Sequence, residues 1–237
     1  MIAHRGASHL APENTLAAFR QAKKSGADWI EFDCMLAATG EAVIIHDQTL
    51  ERTTNGTGRV SDCPWSSLSA LSAGSWFNPS FAQERIPLLS EVLQLCRETG
   101  LQAIAEIKPA AGREVQTVAE VMRVISQFPE FLSGGGLIVT SFSEEALAAV
   151  RKLSGMVHIG LAMNEWNPDF EQKLHFLDAC SLHLNRESVT RERVAMVHRA
   201  GYALLAYTVN PMDEAKTLFG LGVDALFSDC PEQLIVL

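Results

Sequence analysis

A chain of 237 residues, 47% of them hydrophobic and 20% charged, carries enough apolar side chains to enclose a large core in one domain, a size common among α/β barrels. The formal charge of -9 argues against a nucleic-acid binder, which must neutralise many phosphates with clustered Lys and Arg, so any anionic small substrate needs a local cationic site. The five cysteines (Cys34, Cys63, Cys96, Cys180, Cys230) are odd in number, scattered and lack a C-x-x-C, which fits neither a disulfide framework nor a zinc cluster. No apolar leader core surrounds His4 and no apolar run reaches membrane-spanning length, so a cytoplasmic protein without a membrane partner is expected.

In chain order, short apolar runs alternate with amphipathic segments, the pattern of repeated β-α units on a parallel sheet. The strand candidates are Met1–Ala3, Trp29–Met35, Glu41–Ile45, Gln102–Ile107, Gly136–Thr140, Val157–Ala162, Ser181–Leu184, Ala203–Thr208 and Asp224–Phe227. Helices are expected over Thr15–Ser25, Pro87–Thr99, Arg113–Gln127, Glu144–Leu153, Arg191–Ala200 and Met212–Leu221, several of them stopping at a glycine suited to a C-cap (Gly26, Gly100, Gly201, Gly222). Two stretches break the rhythm. Asp47–Arg85, rich in Thr, Asn, Gly, Ser and Pro, reads as an insertion (47–85) near the barrel mouth within a single 1–237 domain, and Met163–Leu177 reads as a shorter functional loop.

Chemistry-bearing residues collect at the ends of these strands. In Trp29-Ile30-Glu31-Phe32-Asp33 the alternation puts Glu31 and Asp33 on one face and Ile30 and Phe32 on the other. Two inward carboxylates repel unless a cation offsets them, either Lys or Arg from a neighbouring strand or a metal ion. Ala105-Glu106-Ile107-Lys108 supplies a third carboxylate and a cation with the same spacing. Three carboxylates without sulfur make a hard oxygen site that favours Mg²⁺, Mn²⁺ or Ca²⁺ over Zn²⁺. Lys108 either pairs with Glu106 or contacts a phosphate. His4 and His46 each end a strand, where a histidine is either a hydrogen-bonded structural residue or an acid-base group. Arg5 is suited to bidentate phosphate binding, and Gly6 to a tight turn. Asn14 either caps the first helix, the expected role, or lines the mouth of the site together with Glu13.

These residues, His4-Arg5-Gly6, Glu13-Asn14-Thr15, Glu31-Phe32-Asp33, His46-Asp47, Glu106-Ile107-Lys108, Tyr207-Thr208-Val209-Asn210, Gly222-Val223-Asp224 and Ser228-Asp229, resemble in order the glycerophosphodiester phosphodiesterase family. The segment Gly74-Ser75-Trp76-Phe77 is most similar to its short bacterial cytoplasmic branch. The resemblance implies a TIM (β/α)8 barrel with a small insertion after the second or third strand. It also implies hydrolysis of glycerophosphodiesters, such as glycerophosphocholine or glycerophosphoethanolamine, to sn-glycerol 3-phosphate and an alcohol, within phospholipid and glycerol metabolism. One divalent cation, Mg²⁺ or Ca²⁺ with Mn²⁺ as an alternative, is implied on Glu31, Asp33 and Glu106. His4 and His46 are implied as the acid-base pair, with His4 read as the base and His46 as the acid. Arg5 and Lys108 are implied to hold the phosphate and Glu13 and Tyr207 to contact the substrate, with Tyr207 an aromatic wall where the family often has Trp. Asp224 and Asp229 are read as loop ties without chemistry. Head group and oligomeric state lie beyond the sequence.

Overall fold

The computed structural model describes residues 1–236. Among these described residues nine strands form one sheet: β1 (Ile2–Ala3), β2 (Trp29–Leu36), β3 (Ala42–Ile44), β4 (Gln102–Ile107), β5 (Leu137–Ser141), β6 (His158–Met163), β7 (Ser181–Asn185), β8 (Ala203–Tyr207) and β9 (Ala225–Ser228). Eight of them are parallel neighbours, and β1 pairs with both β2 and β9, which closes the sheet into a TIM barrel with helices between its strands. β1 is only two residues long, so its register is set entirely by those flanking partners, with Ile2 opposite Trp29 on one side and Phe227 on the other.

The period of two sorts each strand into a wall face and an interior face. Ile30, Phe32 and Cys34 point outward into the large core beneath the helices, where Phe32 meets Phe19 edge to face at 5.8 Å. Inward, Ile2, Trp29, Ile104, Ile138, Leu205 and Phe227 form an apolar plug. Two residues further along β2, β4, β5 and β8 the same inward face carries Glu31, Glu106, Thr140 and Tyr207. The apolar layer therefore seals the bottom of the barrel and sets the chemistry one step above it, at the C-terminal end of the strands.

The expected strand over Glu41–Ile45 forms as β3, but it is not a barrel strand. It runs antiparallel to β2, with Cys34 opposite Ile44 and Leu36 opposite Ala42. β2 thus overshoots the barrel rim and the chain turns back along it, so that Ile45 N–H bonds Asp33 O at 3.0 Å and His46 arrives at the level of the carboxylates. The following segment 47–85 contributes Leu50, Val60, Leu68 and Ala73 to a separate cluster with Met35, Val43, Ile45 and Ile86 against this hairpin.

Helices form at all six expected places, with αL caps at Gly100 and Gly222. The reading of Met163–Leu177 as a loop is corrected, because Phe170–Leu177 is a helix. Phe170, Leu174 and Leu177 are buried at helical spacing, and Trp166 packs on Phe170 with ring centres 4.8 Å apart, although Asn167-Pro168 suggests a turn. No helix among the described residues is long and apolar enough to cross a membrane.

Candidate active site

The rim of the barrel opens into a cavity of about 340 Å³ lined by His4, Arg5, Glu31, Asp33, His46, Glu106 and Lys108 on one side. Thr140, Phe142, Asn164, His183, Tyr207 and Phe227 line the other. Parallel pairing of Asp33 with Glu106 makes those two carboxylates neighbours, and Glu31 joins them so that carboxylate oxygens of all three lie within 4.8 Å of one another.

Their environments differ. Asp33 is 1% exposed, yet its oxygens face Arg5 Nε at 3.6 Å and Lys108 Nζ at 3.4 Å. Burial raises its pKa, but Lys108, Arg5, His46 and the Asn14 hydrogen bond outweigh burial and hold it below the usual value. Lys108 therefore sits against Asp33 and forms no ion pair with Glu106. Among the described residues the Glu31 side chain accepts only from the Arg5 backbone N–H, at 2.9 Å, and burial together with the charges of Asp33 and Glu106 pushes its pKa well up. Glu106 has neither a hydrogen bond nor an ion pair from its side chain among the described residues, and burial and the Asp33 charge push it up to about 8. The salt-bridge alternative thus accounts for Asp33, whereas Glu31 and Glu106 form no ion pair among the described residues and feel Arg5 and Lys108 too weakly to offset burial and mutual repulsion.

Asn14 does not cap the first helix. Thr15 does, accepting from Ala18 N–H. Asn14 instead adopts a left-handed φ of 58° and clamps Asp33 with two bonds, its Nδ2 donating to Asp33 Oδ2 at 2.8 Å and its Oδ1 accepting the Asp33 N–H at 3.3 Å. Arg5 is also left-handed (φ 56°), and at Gly6 (φ 80°) an added Cβ would lie 2.7 Å from the Ala18 backbone. Only glycine lets the turn after β1 press against the first helix and aim Arg5 into the cavity. Glu13 lies outside the cavity lining, both of its oxygens taken by Arg5 (2.8 Å) and Arg52 (2.7 and 2.9 Å), so it positions arginines.

Each histidine is anchored through Nδ1 to a carboxylate. His4 Nδ1 is 2.7 Å from Asp229 Oδ1, and Asp229 is itself clamped by Asn210 in the two-bond manner of Asn14 on Asp33, with Nδ2 to Oδ2 at 2.8 Å and the Asp229 N–H to Oδ1 at 2.9 Å. Burial raises the Asp229 pKa, but bonds from His4, Asn210 and Ser8 carry it well below the usual carboxylate range. Asp229 thus does more than tie a loop. His46 Nδ1 is 2.6 Å from Asp47 Oδ1, and Arg52 grips both Asp47 oxygens and holds its pKa low. Burial lowers the His46 pKa, with Arg5 and Lys108 adding to it against Asp33 and Asp47.

The opposite wall was not singled out in the sequence apart from Tyr207. Its hydroxyl donates to Met163 O at 2.8 Å and its ring meets the half-exposed Phe142 edge to face at 5.9 Å. His183, 2% exposed, is held between Thr140 Oγ1 (3.2 Å) and Ser181 Oγ (2.9 Å) on the cavity floor, and burial pushes its pKa down to about 3. Gly160 makes room for it, since a Cβ there would fall 2.5 Å from Nε2. These are isolated strand-end side chains, and nothing local in the sequence marks them.

A TIM barrel whose mouth joins a carboxylate cluster, two phosphate-sized cations and two carboxylate-anchored histidines defines an enzyme built to act on a phosphate group. The model of the glycerophosphoryl diester phosphodiesterase family matches residues 4–233, and the chain belongs to that family of enzymes. It is 35% identical over 240 residues to the glycerophosphodiester phosphodiesterase of Caldanaerobacter subterraneus subsp. tengcongensis, covering 99% of this chain and 96% of the relative. It is 34% identical, with the same coverage, to that of Bacillus altitudinis. Among solved structures, an Oleispira antarctica phosphodiesterase in complex with the product sn-glycerol-3-phosphate superposes with a TM-score of 0.95 at 36% identity, over 99% of this chain and 94% of that one.

Proposed function

We propose that this protein hydrolyses glycerophosphodiesters, glycerophosphocholine and glycerophosphoethanolamine among them, to sn-glycerol 3-phosphate and an alcohol, using one divalent cation and a pair of histidines. The observation that carries this reading is the convergence of His4, His46, Arg5, Lys108 and three carboxylates on one cavity. The product held by the Oleispira antarctica relative supports the glycerol phosphate half of the substrate.

Glu31, Asp33 and Glu106 fit a hard cation. Two of the three have pKa values raised by burial and by neighbouring carboxylate charge, which a cation would offset, and the donor set is all oxygen. Bound there, Mg²⁺, Ca²⁺ or Mn²⁺ supplies charge neutralisation for the phosphate and a fixed point for a substrate oxygen. The remaining work falls to the chain's own groups. Arg5, oriented by Glu13, and Lys108, beside Asp33, hold the non-bridging oxygens. His4, with Nδ1 committed to Asp229, leaves Nε2 to accept the proton of the water that attacks phosphorus, and the carboxylate stabilises the imidazolium that forms. His46, committed through Nδ1 to Asp47, leaves Nε2 to return a proton to the leaving alkoxide. Tyr207 and Phe142 supply an apolar wall to the substrate.

Product analysis tests the reading. Incubation of the purified protein with glycerophosphocholine and Mg²⁺ should release choline and sn-glycerol 3-phosphate in equal amounts. A cyclic phosphate as the end product, or binding without turnover, would overturn it.

A further inference from the structure

Outside this cavity, the two ends of the chain bring a second set of ligating side chains together. His9 lies on the loop after β1, and its backbone N–H bonds Asp229 O at 3.0 Å, which holds it against the segment following β9. There, ligand atoms of His9, Cys230 and Glu232 lie within 4.8 Å of one another. The sequence separates them too widely for any motif to register.

Their unmet valences point to a ligand. Glu232 Oε2 is buried without a hydrogen-bond partner, and neither ring nitrogen of the exposed His9 has one among the described residues. Cys230 is 7% exposed and forms no disulfide. Burial raises its thiol pKa, and the charges of Glu232 and Asp229 raise it further. The other oxygen, Oε1, accepts from Gln233 Nε2 at 3.4 Å, so a cation on the cluster would supply the partner that Oε2 lacks.

We propose that His9, Cys230 and Glu232 form a second metal site, distinct from the three-carboxylate cluster, for a borderline-soft divalent cation of the Zn²⁺ type. One thiolate sulfur, one imidazole nitrogen and one carboxylate oxygen form a zinc-type donor set, whereas the oxygen-only cluster suits harder ions. Tetrahedral ligands on Zn²⁺ stand roughly 3.3–3.8 Å apart, so closing the site takes a movement of about 1 Å, which the exposed His9 ring can make. His9 and Cys230 line an open cavity of about 380 Å³ shared with His4 and Asp229, which gives solvent access for the fourth ligand. Cys230 directly follows Asp229, so an ion here sits beside the loop that anchors His4.

Co²⁺ titration of the full-length reduced protein tests the site. A sulfur-to-cobalt charge-transfer band should appear, saturate near one equivalent and vanish on adding Zn²⁺. Cys230→Ser should abolish the band, His9→Ala and Glu232→Gln should weaken Co²⁺ binding at least tenfold, and Glu106→Gln should leave the band intact. Absence of the band in the wild-type protein, its persistence in Cys230→Ser, or its loss in Glu106→Gln would overturn the proposal. Because His9 is exposed, His9→Ala keeps the fold, and unchanged affinity in that variant overturns the assignment even if Cys230→Ser misfolds.

Discussion

The two histidines of the cavity are anchored alike but mounted differently. His4 and its partner Asp229 are 225 residues apart and meet where β1 and β9 close the barrel, and Asn210 and Ser8 hold the carboxylate from other sides. His46 and Asp47 are adjacent in the chain, leave the β2-β3 hairpin together, and depend on Arg52 from the insertion, which also reaches Glu13 and through it Arg5. One of the two proposed proton-transfer groups is thus part of the barrel wall. The other rides on a layer added above it, which is where a protein can change a loop without disturbing the core.

The largest expected effect removes what both mounts serve. Glu106→Gln keeps the shape of an unpaired, partly buried carboxyl and should lower kcat on glycerophosphocholine by about 10³ or more with little change in Tm, since it deletes a proposed metal ligand. Next come the anchors. Asp229→Asn should cost about 10²-fold in kcat, because no other described group accepts from His4 Nδ1, whereas Asp47→Asn, which serves the more exposed of the two histidines, should cost about tenfold. The pH profile then separates the roles. The Asp47 bond raises the His46 pKa, so Asp47→Asn lowers it further, and if His46 donates the proton the alkaline limb of kcat/KM moves to lower pH. Movement of the acidic limb instead would exchange the roles of the two histidines. A smaller effect is expected at the rim, where Phe142→Ala should raise KM up to about tenfold and leave kcat nearly unchanged.

His183 provides a check on stability. Its folded pKa of about 3 lies below the ordinary 6.5, so the unfolded chain binds the extra proton between those values and stability falls as the pH drops from 6.5. Roughly 3 kcal/mol should be lost between 6.5 and about pH 4, read as a falling denaturation midpoint that His183→Gln flattens.

The contrast between the mounts also marks how far the sequence could be read. Periodicity exposed the eight barrel strands, and a period of two was enough to place Glu31, Asp33 and Glu106 on one inward face. It could not orient β3, because an antiparallel return and a parallel strand share the same pattern over three residues. Asn14 before a helix looked like a cap, and only the fold shows Thr15 capping and Asn14 gripping Asp33. The His46–Asp47 pair is local and could be seen, while the His4–Asp229 pair exists only through barrel closure. Asn164 falls within the Met163–Leu177 stretch read as a functional loop, but Thr140, Phe142 and His183 stand alone at strand ends, where no neighbour signals their shared cavity.

Everything proposed for the cavity turns on whether Glu31, Asp33 and Glu106 hold a divalent cation that turnover requires. The direct measurement is glycerophosphocholine hydrolysis by protein stripped with EDTA and then titrated with Mg²⁺, Ca²⁺ or Mn²⁺. Loss of activity on stripping, with recovery at one equivalent in the wild type and none in Glu106→Gln, is the predicted result. Undiminished hydrolysis by the metal-free protein would contradict it.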